Sequence, residues 1–482
     1  MPSRTRLTKL SAGVALGLTL ATLPLAAQVP TPGATPRDQV TTEPPGARPA
    51  AGPPAPASTA AFWEVLGDPT LERLLEEALS GSPRLMAAEA RIEGALASRV
   101  EAQLDLAPAV TASAGYTRRR LASASFPGLG TLPDQDVWDS GLQASWELDL
   151  FGRLRSGLRA RNALLSSASE ELEDTEVQLT AAVARSYFDL RGAQEQLAVA
   201  TRNAENQRRT LELTEVRLEA GRGTEFDSER ARAQLAFTRA AVPLLEERVA
   251  SAQHRIAVLL GRPPRELAEE LGAEGGLPAL PESVPEVDPA EVIRVRPDVQ
   301  AAAERVTASR ALVSSARADY LPRISLAAGA GYTANEVDAF GNSGTFNYAF
   351  GPVISWAALD MGRVRARVDE ARAQELESRA RYDQAVLLAQ EELESATVRY
   401  RTARARLGHL REAAAASERA ASLAALRYEG GIADFLQVLD AERTLLVAQD
   451  QLAQAQTQAT DAYVALYEAR GASWPSRGSG RR

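Results

Sequence analysis

Residues able to do bond-making chemistry are few and poorly placed for it. The chain has no cysteine, and its two histidines, His254 and His409, stand alone on separate helical stretches. There is no metal-ligand cluster, no glycine loop shaped to cradle a phosphate, and no nucleophile beside a plausible base, so an enzyme and a cofactor are not expected. Acidic side chains abound but fall on helix surfaces, where solvated charge is the default. One cluster has a positional logic. In FLQVLDAER (Phe435–Arg443), Leu436, Asp440 and Arg443 fall at spacings of four and three and share a helix face. Repeated around an axis, such a leucine would form a ring that blocks by dewetting, and such a carboxylate a ring that attracts cations. Taken singly, Asp440–Arg443 is an exposed pair worth about 0.3–0.5 kcal/mol and Leu436 is seam packing.

The elements that position this face come in two copies. WELDLFGRLR (Trp146–Arg155) recurs as WAALDMGRVR (Trp356–Arg365), and RLEAGRG (Arg217–Gly223) as RYEGGIA (Arg427–Ala433), both 210 residues later. GSPRLMAAEAR (Gly81–Arg91) parallels VRPDVQAAAER (Val295–Arg305), and Pro108 parallels Pro322. Such self-similarity marks a tandem duplication, so one unit is read for both.

Each unit opens with a helix, Pro83 to about Leu106 and Pro297 to about Tyr320, ended by Pro108 and Pro322. Two alternating segments follow, over 108–121 and 136–150 in the first copy and 322–334 and 345–359 in the second. Their period-two pattern predicts strands, longer than the usual ~5–6 residues and long enough for the ~9–11 that cross a bilayer. Tyr116, Trp138, Trp146, Tyr332, Phe346, Tyr348 and Trp356 lie on their apolar faces, as a membrane aromatic belt requires. Pro352 lacks the N–H that a central strand needs, which points to a place near a rim.

Long helices come next, from about Arg153 to Ala220 and from Arg363 to Glu429, with no proline inside. In the second, Leu393, Tyr400, Leu407, Ala414, Ala421 and Tyr428 recur every seven residues. The first carries two such lines, Val183–Leu218 and Leu179–Thr214. These are coiled-coil seams on rods of ~100 Å. Glycines then reverse the chain at Gly221–Gly223 and Gly430–Gly431, and shorter helices return over 225–260 and 434–469. A short opening helix and a short return helix together equal one long helix, so they can stack end to end beside it. Gly221, Gly223, Gly430 and Gly431 are assigned to tip turns and to contact with a partner.

At the start, Arg4, Arg6 and Lys9 precede an apolar run over Leu10–Leu23 and small residues at Ala26–Ala27, the pattern of a secretory signal peptide over 1–27. Residues 28–60 are rich in proline and cannot bury a core, residues 261–290 read as a linker between the repeats (61–260 and 291–470), and 471–482 as a tail. No other stretch is long and apolar enough for a membrane helix. Net charge is −9, which argues against nucleic acid as a partner. Four strands cannot close, and an open edge in lipid leaves backbone groups unsatisfied at several kcal/mol each. The barrel must therefore be shared between chains. A dimer supplies eight strands and a filled interior, whereas a homotrimer supplies twelve around an open bore. The polar faces are Gly, Ser, Thr, Asn and Gln, suited to water. The predicted fold is therefore mainly α with a membrane β-barrel, with long antiparallel coiled coils closing into a helical cylinder.

FWEVLGDPTLERLLEEAL (Phe62–Leu79), RPDVQAAAERVTASRA (Arg296–Ala311), both tip sequences and the ending YEARGASWP resemble the TolC-like outer-membrane efflux proteins, in the branch that serves resistance-nodulation-division pumps. The resemblance covers about Phe62–Trp474. It implies a trimeric conduit in outer-membrane lipid, with a twelve-stranded barrel and a periplasmic helical tunnel that is opened by a periplasmic adaptor (membrane fusion) protein and an inner-membrane pump. It further implies that Leu436 and Asp440 form the closed constriction, with Arg443 as an ion-pair partner. Many relatives carry a lipid-modified cysteine where this chain has Gln28, so no acyl anchor is expected there. Two other readings fit parts of the sequence: the exit duct of a type I protein secretion system, and a periplasmic coiled-coil adaptor, which leaves the four aromatic-faced strands unused.

Overall fold

The computed structural model describes residues 59–120, 134–272, 275–282, 284 and 288–471. The predicted signal peptide, Gln28, nearly all of the leader over 28–60 and all but the first residue of the tail lie outside the described residues. The first repeat runs α1 (Thr59–Glu64), α2 (Pro69–Gly81), α3 (Pro83–Leu104), β1 (Ala109–Arg119), β2 (Gln135–Leu148), α4 (Arg153–Glu219) and α5 (Glu225–Leu260). The second runs α6 (Pro289–Val295), α7 (Pro297–Ala318), β3 (Arg323–Ala334), β4 (Phe346–Ser355), α8 (Met361–Glu429) and α9 (Phe435–Arg470). Helices α3 and α7 start on a proline at the first turn and end just before Pro108 and Pro322. Helix α5 continues through Pro243, a residue that sequence rules would use to interrupt it.

The strands form one antiparallel sheet in the order β1-β2-β3-β4. Registers such as Tyr116↔Trp138, Leu142↔Ala330 and Ala330↔Tyr348 put directly opposed residues on a common face. One face carries Val110, Tyr116, Trp138, Leu142, Trp146, Leu326, Tyr332, Phe346, Tyr348, Phe350 and Ile354. The other carries Thr111, Ser113, Gly115, Gln143, Ser145, Gly329, Gly331, Thr333 and Asn347. The exceptions are Ser140 and the Arg118–Asp136 pair on the first face and Val137 and Val353 on the second. Every aromatic on the apolar face is exposed or half-buried in the single chain, with Tyr348 71% and Phe350 83% accessible, so this face needs an apolar medium outside the protein.

The aromatics form two rows. Near the strand-connecting loops Tyr116 packs on Trp138, and Tyr332 on Phe346 and Phe340. At the helical end, Trp146 donates its Nε1–H to the Leu106 carbonyl (2.9 Å), and Trp356 donates to the Tyr320 carbonyl (3.1 Å). Trp138 and Trp146 are eight residues apart, about 26 Å along the strand, close to the ~25 Å apolar band of a bilayer-spanning barrel. Trp356 falls just outside β4, which is shorter than the predicted 345–359. The ladder's last pair is Arg323↔Ser355, and beyond it Pro322 ends the partner strand. Pro352 sits near this helical end of β4, which is an edge of the sheet within the chain.

Gly141 and Gly331 face each other across β2–β3. A Cβ at Gly331 would run into the Ser140 carbonyl oxygen and meet the Gly141 Cα at 2.8 Å, both backbone atoms that cannot step aside. We expect Gly331→Val to break this pairing and to abolish the heat-dissociable oligomer on detergent gels, whereas Gly344→Val, where a Cβ meets open space, leaves it intact.

Helices α3 and α5 both pack along α4, and α7 and α9 both along α8, so the short helices line the long ones as their lengths predict. The whole α8 heptad line from Leu393 to Tyr428 is buried. In α4 the Ala193, Ala200, Gln207, Thr214 line is buried, while Leu197, Ala204, Leu211 and Leu218 are half-buried. The difference arises because α4 also packs against α7 and, over this stretch, against α9, which turns Gln196 and Asn203 inward. Asn203 donates to Gln449 Oε1 (2.9 Å) across that contact.

The largest core sits at mid-height, where α2 buries Leu71, Leu74 and Leu75 against Tyr187, Phe188 and Tyr467. Each such leucine contributes about 1.5–3 kcal/mol. Arg296 of the RPDV string is nearly buried beside it, donating to Asp298 (2.8 Å), to the Ala469 carbonyl (3.2 Å) and ion-pairing with Glu392 (2.7 Å). Burial opposes its charge, but the two carboxylates outweigh that and raise its pKa further. The motif thus ties α7, α8 and the end of α9 together.

Candidate channel gate at the helix tips

Both hairpins reverse in the same way. The N–H of Arg222 bonds to the Arg217 carbonyl (2.8 Å) and the N–H of Ile432 to the Arg427 carbonyl (2.9 Å), with Gly221 (φ 70°) and Gly431 (φ 72°) in the left-handed region. This is the Schellman closure, in which glycine avoids the Cβ clash. Gly223 is favoured for a different reason: a Cβ there would crowd the Leu218 amide nitrogen at 3.1 Å. Gly430 has ordinary α-helical dihedrals (φ −73°) and no tight neighbour, so its backbone makes no demand for glycine. Thr224 and Asp434 then cap α5 and α9 by accepting from the Asp227 and Gln437 amides.

The first turns of α9 are held by Phe435, Val438 and Leu439, which pack with Tyr428 of α8 and Ala231 of α5; Leu211 and Leu213 of α4 close the cluster. Glu442 continues this inward face and accepts from Thr210 Oγ1 (2.7 Å). Burial raises the Glu442 pKa, and the Thr210 hydrogen bond opposes that rise. With these residues inward, Leu436, Asp440 and Arg443 are all turned out, and Leu436 is 52% accessible. The three stand within about 60° of each other around the helix. The expected Asp440–Arg443 ion pair is absent within the described chain, and neither side chain has a hydrogen-bond partner there. Both point away from the protomer at spacing three, and each remains available to another chain.

The residue that sequence reasoning missed is Arg217, at the last turn of α4. Its guanidinium lies 3.9 Å from the centre of the Tyr428 ring and donates to the carbonyls of Tyr428 (2.6 Å) and Glu429 (3.2 Å). It therefore clips the tip of the first hairpin to the tip of the second. Its counterpart Arg427 is exposed and makes no such bond. The matched arginines at 217 and 427 were visible as a repeat landmark, but nothing in their spacing says that only one reaches across.

This arrangement can hold an opening shut without catalysis. An outward-facing leucine and carboxylate per chain stand on a helix end that is itself clipped through a few side-chain contacts.

Residues 74–262 and 289–472 match the outer membrane efflux protein family, one segment for each repeat. The pyoverdine export outer membrane protein OpmQ of Pseudomonas aeruginosa is 32% identical over 422 residues, 86% of this chain and 88% of its own. The toluene efflux pump outer membrane protein TtgF of Pseudomonas putida is 30% identical, covering 86% of this chain and 85% of its own. The solved structure of the outer-membrane channel OprN superimposes with a TM-score of 0.80 at 42% identity, over 86% of this chain and 92% of that one.

Proposed function

The chain belongs to the outer membrane efflux protein family, and from that premise we propose that it acts as a homotrimer whose helix tips are opened by a periplasmic adaptor and an inner-membrane pump of the resistance-nodulation-division type. It is an outer-membrane efflux channel with a large periplasmic helical part, and a transporter rather than an enzyme. The observation that carries the trimeric reading is the sheet: four strands with an apolar outer face and two open edges, β1 and β4. Pairing β4 of one protomer with β1 of the next satisfies both edges, and three protomers give twelve strands around a bore lined by small polar residues. Leu436 and Asp440 of three α9 helices then form the closing rings, with Arg443 beside them to pair across protomers. The cargo is a small molecule chosen by the pump, as the different cargoes in the relatives' names suggest.

The tips carry the partner contact. Ile432 is 74% accessible there, beyond the Schellman turn. A photo-crosslinker at Ile432 in living cells is expected to capture a periplasmic adaptor, with the inner-membrane pump co-purifying. The same crosslinker at Leu142 on the apolar barrel face captures none. An Ile432 crosslink that reaches no adaptor removes the partner assignment, and co-purification of an ATP-driven secretion system in place of the pump moves the protein to protein export.

A further inference from the structure

We propose that Asp139 is the charge that gives the outer mouth of the barrel a preference for cations over anions; this rests on the trimeric channel reading above. Asp139 lies in β2 between Trp138 and Ser140, both on the apolar face, so it stands on the opposite, lumenal face. Its cross-strand partners there are Gly115 and Thr333. The carboxylate lies flat across Gly115: a Cβ at that position would meet Oδ1 at 3.0 Å and Oδ2 at 3.1 Å. Its level is that of the outer aromatic row, where Trp138 packs on Tyr116.

No hydrogen bond or ion pair engages Asp139 among the described residues. Among the described residues, the other charges near the barrel wall, Arg119 apart, are neutralised. Glu147 accepts two bonds from Arg153 (2.9 and 2.7 Å), and Arg323 pairs with Asp319 (2.6 Å) at the helical end. At the loop end, on the apolar side, Arg118 pairs with Asp134 and Asp136, and Arg120 with Asp134. Between these ends the polar face holds Thr, Ser, Gly, Ala, Gln, Asn and Val besides Asp139.

Among the described residues, the one other unpaired charge on the lumenal face is Arg119, in register with Gln135 at the last rung of β1. It is four residues further out, about 13 Å along the strand. That exceeds the Debye length of ~8 Å at physiological ionic strength, so the two act as separate rings. Glu336 and Asp338 in the exposed β3–β4 connection add negative charge at the same mouth and outnumber Arg119. Threefold symmetry turns Asp139 into a ring of three unpaired carboxylates in a section lined by small neutral residues. Such a ring concentrates cations and repels anions. A cationic or neutral solute leaves the barrel more readily than an anion of equal size.

The test compares full-length wild-type and Asp139→Asn trimers in planar bilayers under a KCl gradient. The potassium-to-chloride permeability ratio is expected to fall at least about twofold near 0.1 M salt, where the Debye length is ~10 Å, and to differ little near 1 M, where it is ~3 Å. An unchanged ratio at low salt overturns the assignment. A second variant guards against misfolding of the first. The chain has no native cysteine, so Asp139→Cys is a unique thiol. Labelling it with a membrane-impermeant sulfonate reagent is expected to restore the wild-type ratio, and a trimethylammonium reagent to push it below that of Asp139→Asn. Failure of both reagents to react in inserted trimers, or reaction without a change in ratio, overturns it equally. A wild-type chain that forms no channel would instead count against the trimeric reading.

Discussion

Replacing Leu436 and Asp440 together by alanine is expected to raise the conductance of purified trimers in planar bilayers several-fold, with the trimer still intact. The reason lies in how α9 is held. Phe435, Val438, Leu439 and Glu442 bind the helix to the rest of the protomer, so Leu436 and Asp440 contribute nothing to its placement. Both side chains face out and make no polar contact among the described residues. If they form the proposed closing rings, their removal deletes an apolar constriction that water avoids and a negative ring that anions must pass, while the helix stays where it is. Leu436→Ala alone should give most of the increase in current, and Asp440→Ala mainly a change in ion preference. Conductance equal to wild type in the double variant would remove both residues from the gate.

Arg217→Ala is expected to open the same channel from the other side of the tip. The side chain donates to two carbonyls at the end of α8, where the helix dipole is negative, and stacks on Tyr428. Together these contacts are worth about 2–4 kcal/mol between the hairpins, a large share of what holds two thin tips together. Conductance should rise with trimer assembly unchanged, because the barrel and the mid-height core lie far from the tip. Arg217→Lys keeps the charge but loses the planar fork, and should fall between. Arg427→Ala, at the matched but exposed position, should leave conductance at the wild-type level. Combining Arg217→Ala with the Leu436 and Asp440 substitutions should add little, since both act on one closure. A fully additive increase would mean that Arg217 stiffens the tip without bearing on the gate.

Much of the architecture can be read locally. Period-two segments, proline stops, heptad lines and the doubled landmarks each report on neighbours a few residues away, and the helices and strands stand within a few residues of where those signals put them. The common face of Leu436, Asp440 and Arg443 follows from helical spacing alone. The exceptions are where another element intervenes. Trp356 leaves the sheet because β3 has no residue left to pair it. Leu197, Ala204, Leu211 and Leu218 stay half-buried because α9 turns α4 towards itself.

The sequence by itself determined the duplication, the two-faced strands, the rods and the position of their reversals, since each is set by intrinsic periodicity or by a turn that glycine permits. Only the tertiary structure decided which of two matched arginines becomes the clip, which tip glycines are compelled by backbone geometry, and which carboxylate stands alone on the lumenal face. Those facts depend on what a side chain meets across a register or a helix contact, between residues as far apart as 217 and 428 or 115 and 139. Two copies with nearly the same local sequence meet different neighbours, and that difference in surroundings gives them different roles.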